Sequence, residues 1–264
     1  GSLEKMRVSH MPAETLSRID GTPPSVRASA SDAHDHYWPE IDGLRAIAIL
    51  LVIAFHAGVP QFAGGFIGVD VFFVLSGYLI TGLLAREIEK TGGIDLVEFY
   101  ARRARRLLPA LTVVLVFTLV AGAFVLVPVG EQQGLGRSAI AASAFIANIF
   151  FWRTQSSYFA GPSEEIPLLH LWTLSVEEQF YIVWPLVMIA LAIVMRRRQS
   201  KTMPAIVVML VVASIASFIA CWWFTLSRST LTFYTMPFRA WEFGVGALLA
   251  LVPLAAPVTG STRT

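Results

Sequence analysis

The sequence predicts an all-α protein: a polytopic integral membrane helical bundle of about six to seven apolar segments, one of them re-entrant. Three observations carry that expectation. Only 14% of residues are charged, against roughly 25% in an ordinary soluble domain. Mean hydropathy is +0.65. The apolar runs suit bilayer-spanning helices of about 17 to 25 residues, and fall at 43–61, 66–85, 107–128, 137–152, 179–195, 204–224 and 234–253. They follow one another too closely for a water-soluble domain to sit between them, so 37–253 reads as one transmembrane domain. Residues 1–36 mix Ser, Pro, Asp, His and Arg without periodicity and read as a disordered cytoplasmic tail. Residues 254–264 read as a short tail. The opening residues lack the apolar core of a signal peptide, so the first run is expected to act as its own insertion signal. The single Cys221 excludes an intrachain disulfide.

The first run contains LRAIAILLVIAFHAG, residues 44–58, with Arg45 at its start and His56 near its end. At 1.5 Å per residue these two are separated by roughly 16 Å along a helix, and eleven residues make close to three turns. Both side chains therefore lie on one face. An arginine near the inner end suits an anionic ligand. An imidazole, with a reference pKa of about 6.5, suits proton transfer further along. Asp42 precedes them as a further polar group. Ionisable groups at membrane depth cost several kcal/mol and by default mark function. A histidine that merely closes an interfacial helix would explain His56, but not the shared face.

The second run, GGFIGVDVFFVLSGYLI over 64–80, opens with a glycine turn and then carries Asp70 into apolar surroundings. A carboxylate there needs a partner, and His56 or the amides of the glycine turn are the candidates. Ser76-Gly77 lets two backbones approach closely, so packing competes with catalysis as the role of Ser76.

Next comes FYARRARRLLP, residues 99–109, with Arg86 and Lys90 just before it. Lys and Arg concentrate in cytoplasmic loops, which places this link and the amino terminus inside and the uncharged 57–67 link outside. Arg103 and Arg106, three apart, share a helix face and can grip phosphates bidentately. A topology signal would need their charge but not their spacing. Short basic clusters at membrane boundaries do not suit nucleic acid.

If every later run crossed, Arg196, Arg197 and Arg198 would face outside, against the same bias. Residues 137–152 are therefore expected to enter and return, as their shortness, Asn148 and the polar stretch 153–165 suggest.

LLHLWTLSVEEQFYIVWP, residues 168–185, gathers His170, Trp172, Ser175, Glu177, Glu178 and Gln179 ahead of a span. Ser175 and Glu178 fit a capping box. Glu177 is not explained by the cap and suits orienting the His56 imidazole or binding an acceptor. Tyr181 and Trp184 fit an interfacial aromatic belt. In PFRAWEFGVG, residues 237–246, Arg239 and Glu242 stand three apart and can pair. The scattered histidines and the lack of an HExxH motif suggest no metal site.

Five blocks in order, EIDGLRAIAILLVIAFH, GGFIGVDVFFVLSGYLIT, FYARRARRLLP, LLHLWTLSVEEQFYIVWPL and PFRAWEFGVGALLA, resemble the signature segments of the membrane acyltransferase-3 family. These are bacterial inner-membrane proteins that acylate hydroxyls of envelope sugars, lipids and glycans. The resemblance covers about residues 37–253. It implies acyl-CoA, in the first place acetyl-CoA, as cytoplasmic donor and an envelope glycan or glycolipid as acceptor at the outer face. The family's basic-residue and histidine pattern maps onto Arg45 and His56, its arginine pair onto Arg103 and Arg106, its serine-glycine segment onto Ser76 and Gly77, and its paired glutamates onto Glu177 and Glu178. The expected catalytic set is His56, Arg45, Glu177 and Asp70. Arg103 and Arg106 hold the donor. Asp42, Ser76, Gly77, His170, Trp172, Glu178, Arg239 and Glu242 bind substrate or support the site. The family core has more helices than these runs supply, and many members add an extracytoplasmic domain, so the chain reads as the amino-terminal part of a longer core. Long apolar runs also suit a transporter or a non-catalytic membrane protein; the five ordered blocks favour the acyltransferase.

Overall fold

The computed structural model describes residues 39–155, 166–197 and 203–255. The tail 1–36, Arg198 and the end of the chain from 256 lie outside the described residues. The chain divides at Leu44, and the bundle is built from Arg45 onward.

All regular structure among the described residues is helical. Helix α1 is Pro39–His56, followed by a 3₁₀ turn at Pro60–Phe62. It stops five residues short of the expected end because Gly58 adopts φ 67° and Pro60 follows. Helix α2, Ile67–Thr91, runs six residues beyond its apolar stretch, through Arg86, Glu87, Glu89 and Lys90, until left-handed Gly92 caps it.

Helix α3, Leu96–Val125, starts eleven residues earlier than its apolar run. The Asp95 side chain accepts from the Glu98 amide at 3.0 Å and so caps it. The arginine-rich link is thus helix rather than loop. Pro109 lies inside it.

The expected single run 137–152 is two short helices, α4 (Glu131–Ser143) and α5 (Ala147–Gln155). The break holds Phe145 at φ 54°. At 1.5 Å per residue neither piece reaches the roughly 30 Å of a bilayer core.

Helix α6, Leu171–Arg197, begins well before Ser175, which removes the capping-box reading. Ser175 Oγ instead donates to the Leu171 carbonyl and accepts the Ala147 amide at 3.2 Å, satisfying the first N–H of α5. Asn148 and Gln179 add a reciprocal amide pair between the same helices. Helices α7 (Met203–Thr225), α8 (Ser229–Tyr234) and α9 (Met236–Ala255) complete the chain.

Among the described residues, four helical segments are long and apolar enough to cross a membrane: Ile67–Thr91, Leu96–Val125, Leu171–Val194 and Val207–Thr225. Helices α3 and α7 turn most of their apolar side chains outward, with Phe117, Phe124, Trp222 and Trp223 all largely exposed. Water would not tolerate such a surface. Lipid does. The core instead gathers on α2, α6 and α9, where Phe180 stacks on Phe243 with centroids 4.4 Å apart, and Phe243 on Phe73 at 4.8 Å. Helices α2 and α9 touch backbone to backbone. A Cβ on Gly77 would strike the Phe243 carbonyl, and one on Gly246 the Val74 carbonyl. Only glycine permits that crossing.

Candidate active site

A cavity of about 510 Å³ opens between α1, α2, α3 and α6. Arg45, Arg102, Arg103 and Arg106 enter its lining from α1 and α3, together with Glu177, Glu178 and Tyr181 of α6. Ile49, Phe72 and Leu174 make the rest apolar. On α1, Ile49 stands one turn beyond Arg45 in the direction of His56.

The four neighbouring arginines of α3 differ in their partners. Glu98 pairs with Arg102 at 3.3 Å and Arg105 at 3.2 Å. Arg103 and Arg106 have no carboxylate within ion-pair distance among the described residues. Arg103 lays its guanidinium on the Tyr181 ring, 3.5 Å from the centroid, a contact worth roughly 0.5 to 2 kcal/mol. Both cations line the cavity.

Glu177 does not meet His56. Its Oε1 takes hydrogen bonds from the hydroxyls of Ser76 and Tyr181, which themselves lie 3.0 Å apart. Ser76 is therefore polar machinery as well as part of a close helix crossing. Tyr181 and Trp184, expected in an interfacial belt, are buried. Trp184 Nε1 donates to Thr81 Oγ1 at 2.8 Å. Both face the bundle because α6 turns this stripe towards α2. Tyr181 is the cavity-lining partner of Glu177 that sequence reasoning missed; its position four residues after Glu177 was the available signal.

Asp70 finds neither His56 nor the glycine-turn amides. Its partner is Arg239 Nη1, at 2.7 Å, and the same nitrogen donates to Glu242 Oε1 at 2.6 Å. Glu242 is fully buried, with Oε2 unpartnered. Arg239 also lies 5.7 Å from the Trp172 ring centroid, and Trp172 packs edge-on to Phe73. Asp70, Trp172, Arg239 and Glu242 thus form a second group, separate from the cavity lining.

His56 closes α1 in an exposed position. Its Nδ1 lies 2.8 Å from the Val52 carbonyl, which draws the proton to Nδ1 and leaves the Nε2 lone pair available. His170 is close enough to feel its charge. Desolvation, followed by repulsion from His56, holds the His170 imidazole below its ordinary pKa. Asp42 lies in the first turns of α1, three residues before Arg45.

The model of the acyltransferase domain family matches residues 38–255. The chain belongs to the acyltransferase-3 family. Over 149 residues it is 44% identical to the peptidoglycan O-acetyltransferase OatA of Listeria monocytogenes, covering 56% of this chain and 24% of that protein. Over 155 residues it is 44% identical to the O-acetyltransferase OatA of Staphylococcus aureus strain NCTC 8325, covering 57% and 24%. The chain therefore spans about a quarter of the length of these curated relatives. No solved structure matches. As an acyltransferase-3 protein with several membrane-length helices, it is a multi-pass membrane protein.

Proposed function

We propose that the chain carries the donor-binding and transfer machinery of a membrane O-acyltransferase, moving an acetyl group from cytoplasmic acetyl-CoA to a hydroxyl of an envelope glycan or glycolipid. The observation that carries this reading is a cavity whose lining combines four arginines with apolar side chains and the carboxylates of Glu177 and Glu178. Arg45, Arg103 and Arg106 hold the donor phosphates. The apolar stretch receives the uncharged arm, and His56 Nε2 accepts the proton of the acceptor hydroxyl. Asp70 and Arg239 brace the outer ends of α2 and α9, and His170 and Trp172 stand beside the same end.

The arginine end lies in the cytoplasm, as the bias of positive charge to the inside requires. Arg196, near the end of α6, donates to the Gly92 carbonyl in the turn between α2 and α3. That contact supports a path in which α4 and α5 enter and return on the outer side, so that six segments cross. Single cysteines at Gly161 and Gln199, both outside the described residues, test the path in a Cys221-free chain. An impermeant maleimide should label position 161 on intact cells, and 199 only after lysis.

The function is tested with membranes from cells expressing the full-length parent, supplied with acetyl-labelled CoA. Label should pass to envelope glycan or glycolipid, and His56→Ala should abolish transfer at normal membrane abundance. Label that never leaves CoA would point to a non-catalytic protein or a transporter.

A further inference from the structure

Glu177 is held in an unusual way for a carboxylate lining a cavity. Two hydroxyls from two helices, Ser76 on α2 and Tyr181 on α6, converge on the same oxygen, Oε1. The three oxygens form a closed triangle whose third side is the Tyr181–Ser76 contact at 3.0 Å. Only two hydroxyl protons serve these three sides. Both donate to Glu177, or one hydroxyl donates to the other and that one to Glu177. In each case the protons run towards the carboxylate, which leaves its side chain no freedom to turn away.

Ser76 itself is 2% exposed and does not line the cavity. It cannot touch a substrate there. Tyr181 reaches the lining, but its hydroxyl is engaged with Glu177 and its ring lies under Arg103. Both residues therefore act through Glu177.

We propose that Ser76 and Tyr181 are positioning residues that aim Glu177 Oε2 into the cavity, where it accepts a hydrogen bond from an amide N–H on the arm of the bound acyl donor. This rests on the donor assignment made above. Three features favour an amide-bearing arm at this depth. Glu177 lines the cavity with Phe72 and Leu174 as well as the arginines, and forms no ion pair among the described residues, so its second oxygen is open to a neutral donor. A phosphate is repelled by a carboxylate, which confines the phosphates to Arg103 and Arg106. An amide N–H is a neutral donor that pairs well with an ionised acceptor. Glu177 thereby selects for a donor with an arm, while the arginines recognise its head.

The test separates head from arm. CoA and adenosine 3′,5′-bisphosphate, which lacks the arm, are titrated against full-length protein in nanodiscs. Ser76→Ala, Tyr181→Phe and Glu177→Asp should each weaken CoA by about 10-fold or more, as expected for losing a well-placed hydrogen bond to a charged group. Their affinity for the bisphosphate should not change. Tyr181→Phe keeps the ring under Arg103 and is the mildest of the three. Thr81→Val removes a neighbouring hydrogen bond between the same two helices and should leave both affinities at the wild-type level. Loss of both ligands together would mean a merely structural role, and unaltered CoA binding would mean no role; either overturns the proposal. Failure of wild-type protein to bind either ligand would instead overturn the donor assignment itself.

Discussion

Replacing Arg239 by methionine should destabilise the bundle severely. The guanidinium lies 2.7 Å from Asp70 and 2.6 Å from Glu242, with 13% of its side chain exposed. Asp70 is 29% exposed and can recover some hydration, but Glu242 is at 0% and cannot. Removing one partner from a buried ion pair costs about 3 to 5 kcal/mol, and Glu242 accounts for most of that here. Each 1.4 kcal/mol is about tenfold in the folding equilibrium, so Arg239→Met alone should shift it by at least a hundredfold. Adding Glu242→Gln removes the stranded charge and should restore more than half of the loss. Thermal unfolding of the full-length protein in one lipid composition measures both steps. A wild-type midpoint for Arg239→Met, or no recovery in the double variant, would refute the assignment of this group as a charge-balanced brace.

Arg106→Lys should weaken CoA binding in calorimetry by a factor of a few to about tenfold, because a point charge cannot reproduce the bidentate fork; equal affinities would reduce Arg106 to a topology signal. Gly77→Val should lower membrane abundance and the unfolding midpoint, since forcing side-chain atoms into a packed contact costs typically about 1 to 3 kcal/mol and the carbonyl it meets is backbone. His170 titrates below its ordinary value in the folded protein, so the unfolded chain binds its proton first as pH falls. Stability should hold above about pH 6.5 and decline below it, and His170→Gln should flatten that slope in a series of unfolding midpoints against pH.

The membrane character was legible because apolar composition is a sum over many residues, and no tertiary contact can reverse it. Helix ends were not legible from hydropathy even where backbone chemistry enforces them: α2 continues past its apolar stretch until left-handed Gly92 stops it. Where amphipathic sequence continues a helix past its apolar stretch, as from Leu96 through the arginines, hydropathy placed the boundary too late. The arginines and Glu177 could be singled out as costly groups in an apolar chain; the Arg239–Glu242 pair was legible from its i, i+3 spacing, whereas partners on other helices were not. Asp70 pairs with a residue 169 positions away, and pairing over such a distance depends on how helices cross rather than on local spacing. Tyr181 was mistaken for a belt residue because an aromatic near a helix end looks alike from either face.

The glycine crossing of α2 and α9 has a mechanical consequence. A contact between bare backbones has no side chains to change rotamer, so it cannot yield gradually. Asp70 and Arg239 bolt the same two helices together on one side of that crossing. Two fastenings at different heights remove both sliding and swivelling, and α2 and α9 must move as one piece. Ser76, carried on that piece, then serves as a fixed datum for Glu177. Any widening that admits a donor has to come from the opposite wall, where α1 and α3 lean on the cavity.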